Sequence, residues 1–235
     1  MPENQMSEVR DQKSDSLEGS EMSQLLWPRK GDQVFTPIRE DWHNNARVNW
    51  LNHRVRALEL YADGYKKAGD VLVRNAMEQT HTLNLLVYPI CFLYRHYLEL
   101  TMKGLIARGR RLTQGKYAYP KHHNLLKLWG ECRTLLLKLV DSVKLIGSVS
   151  QEELDVVEEL VVQIIQVDPN GEAFRYAENK KTFSALPKHI THINVRNLME
   201  IMERIGNFLE GTNECLSITI DYENEMREEV LRFLI

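Results

Sequence analysis

Tyr88-Pro89-Ile90-Cys91-Phe92-Leu93-Tyr94-Arg95-His96-Tyr97-Leu98-Glu99-Leu100-Thr101-Met102-Lys103 is the stretch that decides the fold. Apolar and aromatic side chains dominate it, yet Arg95, His96, Glu99 and Lys103 fall within nine positions. On a helix Arg95 stands over Glu99, and Glu99 over Lys103, at i,i+4; His96 reaches Glu99 at i,i+3. One face of a hydrophobic helix thus carries a group of cations around one carboxylate. Buried charge is costly unless paired. The cluster is therefore either a structural polar network or a functional site.

Working outward, the spacing predicts a helix over about 82–110, apolar nearly all round in its first half and so central. Pro89 either kinks it or sits in its true first turn. Before it, Val48, Leu51, Val55, Leu58, Tyr61, Ala62 and Tyr65 form an amphipathic stripe for a helix over 45–77, capped by Asn44 or Asn45. After a loop with Gly115 and Pro120, a third helix spans 124–146, with Leu125, Leu128, Trp129, Cys132, Leu135, Leu136 and Leu139 as its stripe. Ser150-Gln151-Glu152-Glu153 is a capping-box start for a fourth helix ending near 167. Asp168-Pro169-Asn170-Gly171 signals a turn. Phe174-Arg175-Tyr176-Ala177 and Thr182-Phe183-Ser184-Ala185 suit a short hairpin. A last helix spans 194–209, with a break near Gly211 and a continuation toward the C-terminus. The fold class is all-α: a helical bundle with a loop or short hairpin insertion near 168–188. Residues 1–24 are polar and read as a disordered tail, leaving 25–235 as a single helical domain.

Composition narrows the function. The chain has 235 residues, 43% hydrophobic and 27% charged, the make-up of an ordinary soluble protein. A net charge of -3 gives no global pull toward nucleic acid or membrane, so any nucleic-acid contact needs a local basic patch. Cys91, Cys132 and Cys215 lie far apart and form no Cys-x-x-Cys pair, which suits reduced thiols and gives no zinc spacing. The N-terminus has no apolar signal-peptide core, and the apolar run 83–94 is too short for a membrane span. The expectation is a cytoplasmic protein that does not engage a membrane.

Three further segments carry chemistry. Lys121-His122-His123-Asn124 opens the third helix, where backbone amides favour anions and His123 suits a donor or general acid. Phe174-Arg175-Tyr176 offers a guanidinium between aromatics, a combination that stacks on a base or clamps a phosphate. Trp42-His43 and Arg47 open the first helix. Together, Arg95, His96, Glu99 and His123 suit acid–base work on a phosphodiester, with Lys103, Arg175 and Tyr176 binding the substrate. One imidazole would take a proton from a 2′-hydroxyl, the other would donate to the leaving oxygen, and arginine would hold the charge. The structural alternative is equally physical: Arg95–Glu99–Lys103 fixes helix register and His123 is a capping residue. A metal held by His96, Glu99 and His123 is opposed by Arg95 and Lys103, so no metal or cofactor is expected.

Several short words in order resemble a known family. Ala62-Asp63-Gly64-Tyr65-Lys66-Lys67-Ala68-Gly69-Asp70-Val71-Leu72-Val73 precedes the opening stretch. His123-Asn124-Leu125-Leu126 with Leu128-Trp129, and Asp168-Pro169 before Phe174-Arg175-Tyr176, follow it. Over roughly 50–210 this succession resembles the HEPN-like bacterial helical proteins, the higher eukaryotes and prokaryotes nucleotide-binding superfamily. The resemblance implies a helical bundle, often a homodimer, among RNA-cleaving toxins, defence proteins and non-catalytic relatives. It implies RNA or a nucleotide as ligand and an antitoxin or operon partner. Catalytic members carry an Arg followed after four to six residues by His. Arg47 with His53 and Arg74 with His81 fit that spacing, whereas Arg95-His96 is adjacent and departs from it. The activity implied is a metal-independent ribonuclease; the alternative is a non-catalytic nucleotide-binding or scaffold module.

Overall fold

The computed structural model describes residues 27–142, 149–178 and 186–233. Backbone packing divides the chain between Val48 and Asn49. In the first unit, residues 27–48 form bends and one short 3-10 turn at Trp42–Asn44, and nearly every side chain is exposed. Asn45 closes a loop there by pairing both its amide atoms with the Ile38 backbone.

Among the described residues the second unit holds five α-helices: α1 (Arg54–Glu78), α2 (Leu83–Gln114), α3 (Leu125–Ser142), α4 (Gln151–Val167) and α5 (Val195–Phe233). No strand occurs among the described residues, in keeping with the all-α expectation. Helix α2 is central, packed against α1, α3 and α5, while α4 covers α3. Almost every residue from Ile90 to Gly109 that is not buried lies on one narrow edge, so the apolar run does build the core. Pro89 sits inside the helix rather than in its first turn. Its missing N–H leaves the Leu85 carbonyl without a helical donor, at a turn where Leu85 itself is exposed to water.

Helix α1 begins later than its stripe suggested. Residues 49–53 are not helical, Asn49 is left-handed with φ of 55°, and His53 precedes the first turn. Val48 is consequently exposed. Gly69 allows α1 to approach α2: a Cβ there would lie 2.9 Å from the Tyr94 ring. The Tyr94 hydroxyl donates to Asp70 at 2.7 Å beside it.

Helix α3 buries its whole expected stripe, Leu125 to Leu139. Asn124, not His123, caps it, accepting the Lys127 N–H at 2.9 Å. Ser150 and Glu153 form the expected capping box of α4. Asn194 caps α5, which runs through Gly211 without a break. A helical glycine costs only about 1 kcal/mol, and Leu209, Thr212, Asn213 and Leu216 are all buried around it. Beyond Ile220 the helix is almost entirely exposed.

Residues 172–176 form a turn instead of the first strand of a hairpin. Asp168 Oδ1 accepts the N–H groups of Glu172 and Ala173 at 2.8 and 3.0 Å and winds the chain back. The hairpin's second half, 182–185, lies outside the described residues.

Candidate functional site

Helix α2 sets Arg95, Glu99 and Lys103 on successive turns, as the spacing predicts. Lys103 donates to Glu99 Oε1 at 2.8 Å, and Arg95 Nη1 lies 3.5 Å from Oε2. All three are buried, at 5%, 1% and 5% exposure for Arg95, Glu99 and Lys103. Burial pushes the Glu99 carboxyl up, but hydrogen bonds from Lys103 and His123, with the charge on both, outweigh it and hold it below the usual carboxylate range.

His123 reaches this carboxylate from the loop before α3. Its Nδ1 is 2.7 Å from Glu99 Oε1, while its side chain remains 68% exposed. An ionised Glu99 only accepts, so Nδ1 carries the proton of the contact and Nε2 is left for an outside partner. The backbone is fixed as well: Arg95 Nη2 donates to the His123 carbonyl at 3.1 Å. Asn124 next to it starts the helix, so the imidazole hangs from a capped end.

The loop after α4 closes the other side of Arg95. Asp168 is buried, and its Oδ2 lies 3.2 Å from Arg95 Nε. Neither atom has a well-aligned hydrogen bond, so the contact is one of charge. Gly171 has φ of 77°, and a Cβ there would sit 2.6 Å from Arg95 Nη1. Only glycine lets the turn lie against the guanidinium. Arg175 is exposed; its Nε donates to the Gly171 carbonyl at 2.7 Å. Its guanidinium sits over the rings of Phe92 and Tyr176, at 5.9 and 5.5 Å from their centroids.

Phe92 joins Arg175 to the second imidazole. His96 stacks on Phe92 at 5.8 Å and meets Tyr65 of α1 edge-on at 4.5 Å. Burial lowers its pKa; Glu99 opposes this, while Lys103, Arg95 and His123 reinforce it.

Thus Arg95, Glu99, Lys103 and His123 meet directly; Arg175 abuts Arg95 through Gly171 and groups with Tyr176 and, across Phe92, with His96. Exposure separates their capacities. His123, Arg175 and Tyr176 can touch an outside ligand, whereas Arg95, Glu99 and Lys103 can only position. Among the described residues, no group of three His, Cys, Asp or Glu side chains is placed to hold a metal. Nor is any described helix long and apolar enough to cross a membrane. The thiols nearest the core are not poised as nucleophiles: burial pushes Cys91 up to about 12 and Cys132 upward too. Of the alternative Arg–His pairs, Arg74 and His81 are exposed at the end of α1 and the turn after it, and His53 is exposed with its ring against Tyr117.

Asp168, Gly171, Phe92 and Tyr65 belong to the site without having been singled out for it. The Asp-Pro-Asn-Gly word marks a turn but does not show that its aspartate turns inward. Compared with family models, with curated proteins and with solved structures, the chain matches none.

Proposed function

We propose that this chain is a HEPN-like helical protein whose His123 face acts on RNA, as a metal-independent endoribonuclease. The observation that carries this reading is the carboxylate-held imidazole: a buried Glu99 fixes Nδ1 of a histidine that is otherwise exposed. That arrangement sets the tautomer and leaves Nε2 to take or give a proton. Arg175, exposed between two aromatic rings, supplies a guanidinium for a phosphate and Tyr176 a face for a base. His96, kept toward its neutral form by burial, suits the imidazole that takes the 2′-hydroxyl proton, leaving His123 Nε2 to give one to the leaving oxygen.

The test is cleavage of a labelled single-stranded RNA by the purified chain in excess EDTA. Cutting by the parent and its loss in His123→Ala is the expected result. Intact RNA with the parent, or equal cutting by the variant, overturns the reading. A second reading, a non-catalytic nucleotide or RNA binder, draws on the burial of Arg95, Glu99 and Lys103. It predicts RNA retention without product, weakened by Arg175→Ala and indifferent to His123→Ala.

A further inference from the structure

Arg95 is the point where two separate loops meet. One edge of its guanidinium lies 3.5 Å from Glu99 and another 3.2 Å from Asp168, and Nη2 donates to the His123 carbonyl. Asp168 is anchored by the two backbone N–H groups it accepts through Oδ1. Its second oxygen is thereby held toward Arg95 Nε, although it makes no aligned hydrogen bond there. A buried carboxylate oxygen left with a charge contact alone is costly unless the position it enforces matters elsewhere.

We infer that Asp168 and Gly171 form a clamp on Arg95 that positions the His123 imidazole. With Asp168 ionised, the guanidinium is drawn toward the 168–176 turn and keeps Nη2 on the His123 carbonyl. Without that pull, Glu99 is the carboxylate left to Arg95 among the described residues, and the guanidinium competes with His123 for it. Gly171 serves the same end by steric means, because a methyl group there would displace the guanidinium without removing any charge. Asp168 and Gly171 are positioning residues: the link from the loop bearing Arg175 to the loop bearing His123 runs through Arg95. The inference deepens the reading of His123 as the working imidazole, but its test needs no RNA.

The readout is the ring tautomer of His123 in the full chain, from long-range proton–nitrogen NMR correlations at a pH where histidine is neutral. The parent should show the Nδ1–H form that the Glu99 contact imposes. Asp168→Asn and Gly171→Ala should each shift His123 toward the Nε2–H form with helical circular dichroism unchanged. Asn170→Ala, an exposed change on the same turn, should leave the tautomer as in the parent. An unchanged tautomer in folded Asp168→Asn and Gly171→Ala overturns the clamp, as does an equal shift in Asn170→Ala. If Asp168→Asn does not fold, Gly171→Ala decides alone. Failure of RNA cleavage with these shifts intact would sink the ribonuclease reading and leave the clamp standing.

Discussion

Helix α2 carries two buried polar networks about two and a half turns apart, and they are built to opposite plans. Arg108 centres one, donating to Ser217 at 2.9 Å and Asn213 at 3.3 Å on α5 and pairing with Glu59 on α1. Every partner is on a helix, and the group lines a polar cavity of about 370 Å³ between α1, α2 and α5. Glu99 centres the other: a carboxylate among cations, reaching out to His123 in one loop and, through Arg95, to Asp168 in another. The first network can set only helix register, because helices supply their own rigidity. The second holds irregular chain, which has no ladder of its own, and so fixes where exposed groups stand. This difference, rather than charge or burial, separates the candidate site from ordinary packing.

The comparison breaks most easily at Glu99. Glu99→Gln keeps shape but strands Lys103, whose carboxylate partner among the described residues is Glu99. Removing one member of a buried pair costs about 3 kcal/mol or more, which for a chain of this size lowers Tm by roughly 6–12 °C. The sign with pH follows from the depressed carboxyl. Its contribution is complete above its ordinary value of 4.5 and is lost as pH falls through the lower folded value. The Tm of the parent should therefore fall more steeply in acid than that of the variant. Parallel acid limbs would refute a stabilising ionised Glu99.

Arg108→Leu sharpens the contrast. It removes the hydrogen bonds to α1 and α5, but the Glu59 side chain is 37% exposed and can hydrate in place. The expected loss is about 1–2 kcal/mol, that of a few hydrogen bonds with one buried amide left unsatisfied. Urea unfolding of the two variants side by side measures it. An Arg108→Leu loss equal to that of Glu99→Gln would erase the distinction drawn between the networks.

Much of this was legible in the residues, for reasons that differ by position. The i,i+4 march of Arg95, Glu99 and Lys103 is a property of one helix, so spacing alone reports it. The caps at Ser150 and the stripe of α3 are equally local. Helix starts were less legible: Val48 and Leu51 continue the α1 stripe on paper, yet the chain there is not helical. Gly211 suggested a break that surrounding burial overrides. Asp168 was hardest, because an Asp-Pro-Asn-Gly turn looks the same whether its aspartate faces water or a guanidinium. Which way it faces depends on a partner far away in sequence.

His96 gives the smallest and most specific effect. It lies beside the Glu99 network but forms rings, not salt bridges: stacked on Phe92 and edge-on to Tyr65. Burial holds its folded pKa below the ordinary 6.5, so the unfolded chain binds a proton first as pH falls. Stability from this group is therefore complete above 6.5 and is lost as pH drops through the lower folded value. His96→Phe preserves both ring contacts and removes the titration. As pH falls below 6.5 the parent should lose stability that the variant keeps. Chemical denaturation at several pH values reads the two slopes. Identical slopes would mean that His96 titrates as it does in the unfolded chain, and its place as the neutral imidazole beside His123 would fall with that result.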